Sequence, residues 1–200
     1  MRKVKREYTL YKIDELDENA RQSAYNEWLN HFDDFDLSDN ENTLNAFLEV
    51  FYGIEVRSWS YDTCEYDYTM RSRYDEDIEC LSGERLLSYL YNNYYDDLFK
   101  SKHYYKTFGT VMKTRRSRIF VDNCCVLTGF IRDEDILEPI YRFLEHPNRN
   151  TTFLDLMEDC LDSFFSACQK DYEYYSSMEG FESECESNDW EFLEDGRQWI

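Results

Sequence analysis

Two prolines and six glycines are the only strong chain breakers in 200 residues, so no Pro-, Gly- or Ser-rich linker divides the sequence and a compact chain is expected. Basic residues are scarce too: 22 Lys and Arg face 43 Asp and Glu, giving a formal net charge of −21. Such an imbalance costs folding free energy through self-repulsion, and it repels nucleic acid and anionic membrane alike. No apolar run reaches the roughly 18 residues a membrane span needs, and the opening MRKVKREYTLYKIDEL lacks the apolar stretch of a secretory signal. A cytoplasmic location is the expectation. The seven cysteines, at 64, 80, 124, 125, 160, 168 and 185, contain no C-x-x-C pair, which fits neither a disulfide framework nor a zinc site and reads as reduced thiols, mostly small core residues. Also missing are a G-x-S-x-G elbow, a phosphate loop, a dinucleotide turn and H-E-x-x-H.

What is present is a foldable composition. At 42% hydrophobic and 18% aromatic residues, the chain is far too apolar for a disordered acidic tail. Its length suits one domain spanning 1–200 that buries close to about 70% of its unfolded surface. The pattern mixes periods. Residues 6–13, REYTLYKI, alternate like a strand; Asp17 then stands as N-cap to a helix whose stripe is Ala20, Ala24, Trp28 and Phe32. A second helix is expected at about 41–52, facing inward through Leu44, Phe47, Leu48 and Phe51 and ending at Gly53. Residues 54–72 read as a hairpin with Cys64, Tyr66, Tyr68 and Met70 on one side. Ser82 is expected to cap one helix running to about 99, and a short helix at about 136–145 ends before His146-Pro147. Between these, 118–130 suggest one or two strands. Thr152 and Asp155 form the pattern of a capping box opening the strongest helix, about 153–175; a helical turn or two follows, and 189–200 close as a hairpin turning at Asp195-Gly196. The fold class expected is α+β, a small antiparallel sheet packed against several helices in a single domain.

Candidates for chemistry are thin. Asp34-x-Asp36-x-Ser38-x-Asn40 starts like a calcium loop, but Asp39 stands where the sharp turn needs Gly and Asn45 where a bidentate Glu belongs. His31, His103 and His146 are isolated; a nucleophile pair with Cys124 or Cys125 is conceivable in space, yet no spacing requires it, and buried structural cysteines are the simpler reading. No catalytic residue, metal or cofactor is therefore assigned.

Charge distribution is the stronger signal. Residues 151–200 hold fourteen acids, Asp155, Glu158, Asp159, Asp162, Asp171, Glu173, Glu179, Glu182, Glu184, Glu186, Asp189, Glu191, Glu194 and Asp195, against only Lys170 and Arg197. Conversely, 101–118 carry Lys102, Lys106, Lys113, Arg115, Arg116 and Arg118 and no acid. On a helix, carboxylates three or four residues apart stand about 5–6 Å from one another, and B-DNA shows one phosphate charge about every 1.7 Å of axis. Rows of such carboxylates can imitate a phosphate track. A solvated face that keeps the chain soluble is the plainer alternative. Against it stand the segregation of acids from bases and the aromatics set among the acids, notably Tyr172, Tyr175 and Trp190, which are favoured contact residues.

Three blocks, YTLYKIDELDENARQSAYNEW, CCVLTGFIRDEDILEPIYRFLEHPNRNTTFLDLMEDCL and ECESNDWEFLEDG, resemble acidic proteins encoded by phages and prophages of Gram-positive bacteria. The resemblance carries no catalytic motif. It implies a setting in which small acidic accessory proteins inhibit host defence, including restriction and CRISPR–Cas nucleases. The expectation is a non-enzymatic inhibitor whose acidic residues, Asp155 to Asp195, meet a basic nucleic-acid-binding protein, with no direct nucleic-acid or membrane contact. An antitoxin-like or regulatory module, and a cysteine- or metal-dependent enzyme, are the alternatives.

Overall fold

The structure, a computed structural model, describes residues 7–32, 38–99 and 126–199 together with the backbone of 102–105 and 112–115. Its elements run α1 (Glu18–Leu29), α2 (Ser38–Val50), β1 (Ile54–Tyr61), β2 (Tyr66–Ser72), α3 (Glu76–Glu79), α4 (Gly83–Asn93), α5 (Tyr95–Leu98), β3 (Lys102–Tyr105), β4 (Met112–Arg115), α6 (Asp133–Glu145), α7 (Phe153–Tyr175) and α8 (Met178–Ser187). The fold is α+β, helices combined with short antiparallel pairs β1–β2 and β3–β4. The chain forms two compact units: a larger one of 37–61 and 65–169, and a smaller one of 1–36, 62–64 and 170–200.

In the larger unit, α2 turns Leu44 and Phe47 inward, with Phe51 buried just beyond its last residue. The hairpin follows as the alternation requires: Tyr66, Tyr68 and Met70 are half-buried while Asp67, Thr69 and Arg71 face solvent. Cys64 lies in the connecting turn instead of the strand. The single helix expected from Ser82 to about 99 is broken at Tyr94 (φ −123°, ψ 14°) into α4 and α5. Packing overrides the periodicity there: the Tyr94 ring packs, tilted, 4.6 Å from that of Phe51, and its hydroxyl sits 3.2 Å from that of Tyr74 and 3.4 Å from that of Tyr89. Ser82 holds the N-cap position without a side-chain cap bond.

The helix expected at about 136–145 begins three residues earlier and ends at His146 as anticipated. It contains Pro139, which cannot donate to the Asp135 carbonyl one turn back; the Ser163 hydroxyl donates to that carbonyl instead, at 2.7 Å. α7 opens on the capping box, the Thr152 amide donating to Asp155 (2.9 Å) and the Asp155 amide to the Thr152 hydroxyl (3.2 Å). It buries Phe153, Leu156, Met157, Cys160, Leu161, Phe164, Phe165 and Cys168. In the basic segment, β3 pairs antiparallel with β4, Lys102 opposite Arg115. Of the strands expected in 118–130, residues 118–125 lie outside the described residues, and 126–130 form none.

The smaller unit is built around Ile13, Leu16, Ala20, Ala24, Phe181, Cys185 and Phe192. Asp17 caps α1 by accepting from the Ala20 amide at 2.8 Å. The strand expected at 6–13 is reduced to one bridge, Tyr11 with Phe192. The next amide, that of Lys12, donates to the Glu15 carboxylate, and Ile13–Glu15 coil into a 3-10 turn that ends the pairing. Phe192 also bridges Gln198, closing the terminal hairpin around Gly196 at φ +86°. A Cβ on that glycine would stand 2.1 Å from the Ala20 carbonyl oxygen, so both its backbone angle and its packing demand Gly. α8, at ten residues, exceeds the turn or two expected.

Candidate functional site

The acidic residues singled out by sequence are divided between the two units. In the larger unit, Asp155, Glu158, Asp159 and Asp162 are all exposed on the outer side of α7, opposite its apolar stripe. Their roles differ. Asp155 is spent on the capping box. Asp162 accepts from the Tyr68 hydroxyl at 2.8 Å and lies 3.5 Å from that of Tyr66, so it ties the hairpin to the helix. Burial first, and the Asp162 carboxylate second, push the Tyr68 phenol well above its ordinary range. Glu158 and Asp159 take no side-chain hydrogen bond among the described residues. Partial burial raises both carboxyls above the usual carboxylate range, and the charges of Asp155 and Asp162, with Asp159 acting on Glu158, add to the rise. Arg142 opposes it at Asp159. A negative pair without hydrogen-bonded partners, eased only at Asp159 by Arg142, thus sits mid-row on α7.

In the smaller unit, Glu173, Glu179, Glu186, Asp189, Glu191, Glu194 and Asp195 are exposed, while Glu182 and Glu184 are half-buried. Four of these acids have internal partners. Lys12 is 2.7 Å from Asp189 and 3.8 Å from Glu191, Arg21 is 3.4 Å from Glu182, and Arg197 is 2.9 Å from Asp195. The bond to Asp189 leads in raising the Lys12 ammonium above its usual range, and the Arg197 amide leads in holding the Asp195 carboxyl below its own. Among the expected contact aromatics, Tyr175 is exposed, Tyr172 lies edge-on to Phe32 at 5.6 Å, and Trp190 packs against the core of this unit. Sequence separation hid these pairings: Lys12 meets an acid far down the chain, and Tyr68 likewise.

Of the described cysteines, Cys64 and Cys80 are exposed. Cys160, Cys168 and Cys185 are buried, which pushes their thiols up, to about 12 for the latter two, and such thiols are poor nucleophiles. Cys124 and Cys125 lie outside the described residues, as do Asp34 and Asp36 of the calcium-like run. Asn40 from that run is buried within α2 and donates to the Tyr61 hydroxyl at 3.0 Å. Among the described residues no group of three His, Cys, Asp or Glu side chains is placed to hold a metal. A groove of about 530 Å³ between α6 and α7 gathers Glu138, Arg142, His146, Asp159 and Ser163. Its serine hydroxyl is committed to the Asp135 carbonyl and its arginine to Glu138. No described helix is long and apolar enough to cross a membrane. No family model matches the chain, and neither the curated proteins nor the solved structures contain a match to it.

Proposed function

We propose that the chain is a non-enzymatic inhibitor, of the kind phages direct against host defence, that occupies a basic nucleic-acid groove on a CRISPR–Cas or restriction nuclease in the cytoplasm of a bacterial host. The observation that carries this reading is the row on α7, where Glu158 and Asp159 remain exposed and without side-chain hydrogen bonds, their carboxyls raised by partial burial first and by neighbouring acids second. A fold that keeps mutually repelling carboxylates without hydrogen-bonded partners gains most when a cationic surface neutralises them, and a groove shaped for phosphate supplies such a surface. The paired acids of the smaller unit, Glu182, Asp189, Glu191 and Asp195, contribute to the field more than to direct contact.

The test is retention of partners from a bacterial lysate on the immobilised protein, at low and at high salt, followed by elution with duplex DNA. A nuclease that binds at low salt and is released both by salt and by duplex is the expected result. The double variant Glu158→Gln/Asp159→Asn should retain it less well. Capture that ignores both salt and duplex overturns the reading. An antitoxin-like or regulatory role would use the same face on a single cognate basic protein, and duplex would then release nothing.

A further inference from the structure

The larger unit also holds two adjacent hydrophobic side chains out in water. In the loop entering α6, Phe130 is 78% and Ile131 53% exposed, whereas Leu127 and Gly129 on either side of Thr128 are buried. A large hydrophobic pair held out in water works against folding, and a collapsing chain would tuck it in. The loop is built to prevent that. Gly129 lies so close to α2 that a Cβ on it would stand 2.2 Å from the Thr43 Cα and 2.8 Å from its amide nitrogen. The Gly129 amide donates at 2.9 Å to Asp133, which is only 4% exposed. Thr128 and Phe130 both adopt positive φ, +22° and +108°, and for a bulky residue such as Phe that is genuine strain. Strain of this sort persists only where surrounding contacts over-determine it, and it clusters at functional positions.

We propose that Phe130 and Ile131 are a preformed anchor that inserts into an apolar pocket bordered by Lys or Arg on a partner protein. The proposal rests on the reading above only in taking that partner to be basic. A tip of two side chains is complementary to a concavity and leaves a flat surface mostly unfilled. The rim chemistry follows from charge: Glu134 is exposed in the first turn of α6, just after the tip; Glu41, also exposed, belongs to the helix against which Gly129 rests; and the intervening Arg132 is paired with Asp135 at 2.9 Å. An apolar tip followed by an exposed carboxylate, on a chain of net charge −21, suits a pocket whose border is cationic. A lipid bilayer is the other apolar host for such a tip, but a net charge of −21 disfavours approach to an anionic membrane surface. Because Gly129 and Asp133 hold the loop in place before contact, little ordering remains to be done on binding.

The experiment places a photo-crosslinking benzoylphenylalanine at 130, with the same group at the equally exposed Tyr52 as control, and irradiates the full chain in a bacterial lysate and beside vesicles of phosphatidylcholine and phosphatidylglycerol. The expected result is a protein adduct specific to position 130, its crosslinked peptide lying in an apolar pocket with Lys or Arg at the border. For that partner, Phe130→Ala should weaken binding by about thirtyfold, a hot-spot loss, by a similar factor at every salt concentration. Glu158→Gln/Asp159→Asn should instead flatten the salt dependence. Adducts with lipid, adducts with a second copy of this chain, or no adduct beyond the Tyr52 control each overturn the anchor. A basic partner that is not a nuclease sinks the nuclease reading and leaves the anchor standing. Unchanged thermal unfolding of Phe130→Ala confirms that the loss is one of contact.

Discussion

Carboxylates that look alike in the sequence are separated by what they touch. Asp155 satisfies a helix-end amide and Asp162 a tyrosine hydroxyl, so replacing either mixes a change of charge with a loss of structure. Glu158 and Asp159 are free of that confusion. Their carboxyls are raised in the folded chain, by burial first and then by neighbouring acids, so the folded state binds these protons more tightly than the unfolded one. Stability from this source is fully present below the ordinary carboxylate range, near about pH 4, and is lost as pH rises through the raised folded values. The variant Glu158→Gln/Asp159→Asn has nothing to lose over that window. Urea unfolding should find it close to wild type below about pH 4 and more stable at neutral pH, by about 0.2–0.5 kcal/mol for each like-charge pair removed, less the attraction of Arg142 for Asp159. A variant less stable at neutral pH would assign these carboxylates a structural partner after all. None of this division is written locally: the i, i+3 and i+4 spacing announces a row, while the hydroxyl that engages Asp162 comes from a strand some ninety residues earlier.

Among the elements, those fixed by local chemistry were legible and those fixed by distant packing were not. α7 begins and ends where its capping box and apolar stripe placed it, Asp17 caps α1, and the hairpin of 54–72 forms with Tyr66, Tyr68 and Met70 on one side as expected. The break at Tyr94 answers to Tyr74 and Phe51, which no window around 82–99 contains. The first strand failed for a related reason, since its partner Phe192 offers one bridging position and also bridges Gln198. The loop at 128–131 was misread because a run such as VLTGF favours a strand by composition, whereas Gly129 is there to let the backbone lie on α2. The capping box invites a quantitative check. Thr152→Ala removes the hydroxyl that accepts from the Asp155 amide, and loss of such a cap costs about 1 kcal/mol. Chemical denaturation should show that drop with an unchanged denaturant slope, and Thr152→Ser should restore most of it. Full stability in Thr152→Ala would mean that the Asp155 carboxylate alone holds this helix end.

For the whole molecule, 43 acids against 22 bases leave the ion pairs seen among the described residues, those of Lys12, Arg21, Arg57, Arg73, Arg132, Arg142 and Arg197, outweighed by repulsion. Exposed pairs contribute at most about 1 kcal/mol each, and salt screens attraction and repulsion alike. The sign of the net effect is therefore set by the excess of acids. Raising salt from about 0.01 M to about 0.15 M shortens the screening length from roughly 30 Å to roughly 8 Å. The free chain should become more stable over that range, with a rise in Tm of about 2–4 °C for each kcal/mol of repulsion removed from a protein of this size. The complex proposed above responds in the opposite sense, because its electrostatic attraction is screened by the same ions. Calorimetry of the free chain and binding of its partner, followed through one salt series, should thus diverge: Tm climbing while affinity falls. If Tm fell together with affinity, the internal ion pairs would be holding the fold, and the acidic surface would be structural before it was functional.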